Sequence, residues 1–318
     1  MPVIKALFYS MKKFLITALA VLFVIEFSSC KVRKMDTSDK VNIVCSIFPE
    51  YDWVRNILGD DDDATTLTLL EKNGVDLHSY IPSSTDLSTV ADCNLLFYTG
   101  GKSHTWITDI LNNSSNTNQT VINLMEVLKD QLKKDSPDAT DYDEHLWLSV
   151  KNAKIACSYF TETLCQLLPD SADRYKSRLA DYMKKLDAMD LSLQGVVQAS
   201  QNKTLIICDR FPFRYLAEDY GIQYCAPFSN CAGQREPGAE AIDLLSETLV
   251  KLNSSAVIVL ENSDKKIAKT VIGNAKKPNC DILTMDSMQS VTLRQAFAGV
   301  TYISQMQKNL ESLQKALK

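Results

Sequence analysis

Two histidines carry the first chemical signal in this chain. His78 lies in 74–82, Gly-Val-Asp-Leu-His-Ser-Tyr-Ile-Pro, and His145 in 143–149, Asp-Glu-His-Leu-Trp-Leu-Ser. Each sits in a turn-rich connection near an expected strand end, with an aromatic two positions on. A neutral imidazole offers one lone pair, so two that converge can hold a divalent transition metal, which wants three or four donors from imidazole, carboxylate or thiolate. A lone histidine is more often a surface or satisfied core residue, but two of the three histidines in the chain occur in these matching settings. Asp143 and Glu144 either orient the His145 ring as acceptors or face water.

The two loops resemble those of the metal-binding lipoproteins that feed zinc or manganese to ABC-type importers. In that family a Pro-His-Ser-Tyr-Glu-Pro-like loop and an Asp-Pro-His-Leu-Trp-like loop each supply one ligand. The resemblance runs from about Val41 to the C-terminus and is specific at the histidine loops. It implies Asp286 as a further ligand, at the end of the apolar run 282–285; the competing role is an N-cap for the helix after Gln289. One family position departs. Relatives carry a His or Glu where counting back from Tyr220-Gly221 places Arg210, and a guanidinium has no lone pair to give. Arg210 is expected to pair with Asp209, Glu236 or Asp286. The substitute donor is sought in 230–236: Cys231, because thiolate suits zinc, or Glu236, which matches a family Glu-Pro-Ser-like stretch. Water or a three-ligand site is the remaining alternative. His104 falls where the family often carries an acid, and reads as a surface residue. The histidine-rich loop of some zinc-importing relatives is missing, and 129–143 is merely charged and short.

The N-terminus reads as an export signal. Lys12-Lys13 precede an apolar run at 14–27 that ends in Ser28-Ser29-Cys30, and Met11 makes a better start than Met1. The run is short for a bilayer span of about 20 residues. Small residues ending at a cysteine resemble a lipobox, which implies a signal peptide over 1–29, lipidation at Cys30 and a polar tether over 30–40. Eight cysteines follow: Cys45, Cys93, Cys157, Cys165, Cys208, Cys225, Cys231 and Cys280. Several sit in apolar strand-like or helical patterns and read as small buried hydrophobes. No CxxC occurs, and only Cys225 and Cys231 invite a local disulfide.

What positions these residues is an alternation of strand-like and helical runs, the signature of an α/β chain with largely parallel sheets. Strands are expected at 41–48, 65–70, 94–98, 204–208, 222–227, 256–260 and 281–285. The spacing predicts helices over 149–168, over 172–199 with Gly195 as its only glycine, and over 293–317. The run 172–199 would span roughly 40 Å at 1.5 Å per residue. We expect two α/β lobes, 41–168 and 203–318, joined by one backbone helix within 169–202, with the metal in the cleft between them. The acidic turn 60–63 lacks EF-hand spacing and reads as solvated.

A chain of 318 residues, 45% hydrophobic, can bury a large core, while a net charge of -5 gives no footprint for nucleic acid. The reading is a monomeric, exported, membrane-anchored binding protein that captures zinc, or less well manganese, for an ABC permease. Imidazole and thiolate ligation favours zinc. A metal-dependent hydrolase is the rival from another class, though His-Glu-x-x-His, a nucleophile elbow and a phosphate loop are all missing. An adhesin-like surface lipoprotein is the third, and predicts partner binding that survives chelation.

Overall fold

Apolar runs of β-branched, leucine and aromatic residues form the core strands. Val41–Cys45 (β1) and Leu95–Tyr98 (β3) are almost wholly buried, as befits strands covered by helices on both faces. They are flanked by Thr65–Leu69 (β2) and Thr120–Asn123 (β4) in a four-stranded sheet of order β2-β1-β3-β4, with every neighbour parallel. Helices Phe48–Leu58 (α1), Ser84–Asp92 (α2) and Thr105–Asn113 (α3) make the crossovers. Ser83 caps α2 in a reciprocal box with Asp86. The computed structural model describes residues 40–136, 139–228, 231 and 236–318. The expected signal peptide, the lipidated Cys30 and nearly all of the tether lie outside them.

The second half repeats the logic with shorter strands. Thr204–Ile206 (β5) pairs in parallel with Gln223–Cys225 (β6), and Ala256–Leu260 (β7) with Asp281–Met285 (β8). A parallel bridge between Ile207 and Ile258 joins the two pairs. Helices Ala239–Lys251 and Lys266–Asn274 cover a core of Leu245, Leu249, Val257, Val259, Ala268 and Val271. Both sheets belong to one compact unit.

The long helix spans Ala172–Ala199, as the spacing predicts. Its buried apolar residues, Tyr175, Tyr182, Leu186, Met189, Leu193 and Val197, form one stripe. That stripe packs against Val150–Leu167, against α1 of the first lobe, and against the C-terminal helix Tyr302–Ala316 of the second. Two expectations need correcting. The run 293–317 is two helices, Leu293–Phe297 and Tyr302–Ala316, because Gly299 at φ +93° ends the first and Thr301 caps the second. The single turn Leu124–Val127, capped by Asn123, follows β4 directly. The acidic turn is not simply solvated: Asp62 accepts from the Tyr175 hydroxyl at 2.6 Å and Asp61 pairs with Arg178, so the turn pins the start of the long helix.

Candidate metal centre

His78 sits in the middle of a one-turn 3₁₀ helix, Leu77–Ser79, after β2. Leu77 anchors the turn in the core, and Asp76 caps it by accepting the His78 amide at 3.0 Å. His145 precedes a second such turn, Leu146–Leu148, whose three apolar side chains are completely buried. The Trp147 indole N–H reaches Ser287 O at 2.8 Å, and the Tyr302 hydroxyl reaches Trp147 O at 2.7 Å. Both tie the His145 arm to the second lobe. Asp143 Oδ1 accepts from the His145 amide at 2.8 Å and pairs with its Nδ1 at 2.7 Å.

The two rings meet, with Nε2 to Nε2 at 3.3 Å. Cys231 joins them: one ligand atom from each of His78, His145 and Cys231 lies within 4.8 Å of the others. Hydrogen bonding fixes the tautomers. The Ser103 hydroxyl donates to Glu144 Oε2 at 2.5 Å, so its remaining capacity accepts from His78 Nδ1–H at 3.0 Å. Asp143 likewise takes Nδ1–H of His145. Both Nε2 lone pairs therefore point at the same place as the sulfur. Three electron pairs facing one point repel unless a cation, either protons or a metal, sits among them.

The electrostatics carry the same signature. Burial pushes the Cys231 thiol up, but the two histidine rings more than offset it and bring it down to about 7. Burial opposes charge on His145, yet Cys231 and Asp143 outweigh it and hold the ring well above the ordinary histidine value. A thiolate and a proton-hungry imidazole in a buried site will exchange protons for a divalent metal readily.

The other expected residues stand apart from this triad. Asp286, half-buried after β8, accepts from the Met288 amide at 2.8 Å and from Gln305, and burial beside Glu261 raises it to about 6. It does not cap the helix after Gln289, which starts at Leu293 under Thr292. Glu236 is exposed. Arg210 pairs with Asp76 at 2.7 Å rather than with the three partners expected, because the turn carrying Asp76 comes closer than any of them. Cys225 and Cys231 are both free, so the local disulfide is not formed; Cys231 faces the histidines instead. His104 is no surface residue. It is fully buried, with Nε2 at 2.9 Å from Glu71.

Sequence reasoning missed Ser103 and Asp76, the side chains that orient His78. A signal existed in Gly100-Gly101. Gly101 has φ +76°, and a Cβ there would strike the Glu144 carboxylate that accepts both the Ser103 amide and hydroxyl. Glycine at that place makes room for the acid behind the histidine.

The ZnuA family, described as "Zinc-uptake complex component A periplasmic", matches residues 43–316. The "Zinc-binding lipoprotein AdcA" of Streptococcus pneumoniae is 26% identical over 312 residues, covering 95% of this chain and 60% of the relative. The "Zinc-binding protein AdcA" of Streptococcus pyogenes is 24% identical over 302 residues, 89% of this chain and 57% of the relative. The chain thus spans well under two thirds of those proteins. The "High-affinity zinc uptake system protein ZnuA" of Bacillus subtilis is 22% identical over 300 residues and is matched over 92% of its length. Among solved structures, the Zn(II)-bound ZnuA-like domain of Streptococcus pneumoniae AdcA superposes with a TM-score of 0.72 at 24% identity, over 88% of this chain and 99% of that one. The two-lobed α/β fold is shared.

Proposed function

The chain belongs to the ZnuA family, and from that premise we propose that it captures zinc outside the cytoplasm and delivers it to the permease of an ABC importer. The observation that carries this reading is the convergence of two imidazole lone pairs and one low-lying thiol in a single buried place. His78 Nε2, His145 Nε2 and Cys231 Sγ are the proposed donors. A set of two nitrogens and a sulfur selects zinc over manganese, whose preference is for oxygen. Asp286, half-buried at the end of β8, is the proposed fourth donor, while Glu236 is solvent-exposed and the weaker candidate. Asp143 and the Ser103–Glu144 pair hold the rings in the tautomer that ligation needs.

Binding rather than catalysis is the work of such a centre, and zinc here is cargo. Delivery then requires proton return. As the site opens, His145 and Cys231 recover their protons, and the metal's affinity falls with each one regained. Anchoring through a lipid on Cys30 completes the proposal. Acyl chains contribute about 0.8 kcal/mol per buried CH₂, so two or more keep the receptor at the membrane without a spanning helix.

Three measurements test this reading. Protein purified without added metal should contain one equivalent of zinc on elemental analysis. Its X-ray absorption spectrum should show a Zn–S shell near 2.3 Å that Cys231→Ser removes. A spectrum of nitrogen and oxygen alone would exclude Cys231 and leave the carboxylates or water. Cys30→Ala should move the protein from the membrane to the soluble fraction; continued membrane association would rule out the anchor.

A further inference from the structure

The His78 arm is held by less than the His145 arm. Its ring sits on a three-residue turn, and Ser103, Glu144 and Leu77 all belong to the same lobe as the turn itself. From the other lobe the Leu293 amide donates to Lys72 O at 3.1 Å upstream of the turn, Cys231 faces the ring, and an ion pair reaches the residue that caps the turn. Beyond β5, Asp209 accepts the amides of Arg210, at 2.9 Å, and of Leu260 at the end of β7, at 3.4 Å, which fixes the base of Arg210 on the second sheet. The Arg210 guanidinium then crosses to Asp76 Oδ2 at 2.7 Å, a contact between residues 134 apart in sequence. The other oxygen of the same carboxylate caps the turn through the His78 amide at 3.0 Å. A continuous polar line therefore runs from a strand of one lobe to the backbone of a ligand carried by the other.

We propose that Asp76–Arg210 is a clasp across the cleft that holds the His78 turn in ligating position and so slows loss of the metal. This rests on the zinc-capture reading for its consequence, but the clasp itself exists in the metal-free protein. Arg210 gives no electrons to the ion; it acts through Asp76 and is a positioning residue. The pair is partly exposed, with side chains 33% and 20% accessible, so its effect on global stability is small while its effect on one short turn is large.

The experiment uses the full chain with Zn²⁺ as the probe. Arg210→Gln and Asp76→Asn (which keeps an oxygen to cap the His78 amide) should each speed zinc dissociation into excess chelator about tenfold, the range typical when a partner behind a ligand is lost. The association rate should stay within about threefold. The double variant should be no worse than either single one, since both break the same contact. Arg210→Lys should recover part of the loss. In metal-free protein, amide hydrogen exchange at His78 should accelerate in Arg210→Gln with the melting temperature unchanged. Dissociation and exchange rates equal to wild type in both single variants would overturn the clasp, as would additive effects in the double variant. A wild-type protein that takes up no zinc would sink the capture reading instead, and exchange at the His78 amide would still decide whether the clasp holds the turn.

Discussion

His145 and His104 are nearly twins by ordinary criteria. Both are buried, and both lie within 3 Å of a buried carboxylate, Asp143 at 2.7 Å and Glu71 at 2.9 Å. They differ in which nitrogen the carboxylate holds. Asp143 takes Nδ1 of His145, leaving Nε2 to face His78 and Cys231. Glu71 takes Nε2 of His104, and the leftover Nδ1 is buried with no hydrogen-bond partner. Burial and a carboxylate thus make a structural pair, while a free lone pair aimed at other donors makes a candidate metal site.

Zinc binding should break the likeness most sharply. Replacing His78 and His145 together by Ala should weaken zinc affinity more than about a thousandfold, roughly 4 kcal/mol, and abolish the zinc-dependent rise in melting temperature. His104→Ala should leave both within a factor of about three. An unchanged melting shift in the double variant would erase the distinction. Stability should divide the pair in the opposite sense. His104→Ala strands Glu71 in the core and should cost about 3 kcal/mol in denaturant unfolding of metal-free protein. The carboxylates come next. Asp143→Asn should lose about tenfold to a hundredfold in zinc affinity, measured by chelator competition, whereas Glu71→Gln should lose none.

The last effect concerns pH and is spread over several units. Glu50 lies near His104; burial pushes it up to about 7, against the opposing pull of His104 and of hydrogen bonds from Ser46, Thr99 and Ile47. Its folded value exceeds its unfolded one, so the folded state binds more protons between about pH 4.5 and 7. The Glu50 contribution to stability is therefore present at low pH and is lost as pH rises through that window, with a slope of about 1 kcal/mol per pH unit. Burial raises Glu71 as well and adds in the same direction. Glu50→Gln should flatten the stability–pH curve by its own share. A slope equal to wild type would show that Glu50 is charged throughout.

The fold was largely legible because its signals are local. Apolar strand-like runs and the unbroken spacing of 172–199 each act on their own neighbourhood. The ends were less so: Gly299 splits what periodicity reads as one helix, since a single positive-φ residue leaves the apolar pattern on either side intact. Of the three side chains that converge, the sequence names His78 and His145 outright and sets Cys231 beside Glu236 as an alternative, because so few residue types can ligate zinc. Asp76, Ser103 and the true setting of His104 could not be picked out, because their roles come from pairings across 25 to 134 residues that no spacing rule encodes. Lone-pair direction, which separates His145 from His104, is a property of the folded network alone.

The packing of Trp147 has an optical consequence. Its ring lies 5.2 Å from that of His145, and Trp106 lies 6.4 Å from His104. A protonated imidazole quenches an excited indole by accepting an electron, so zinc taking the place of a proton on His145, as proposed, would alter the emission of Trp147, with Trp53 and Trp106 as background. The proposed site would then carry its own fluorescent indicator of occupancy. Trp147→Phe should silence the metal-dependent change in emission and Trp106→Phe should preserve it, letting a titration be followed by light without any label.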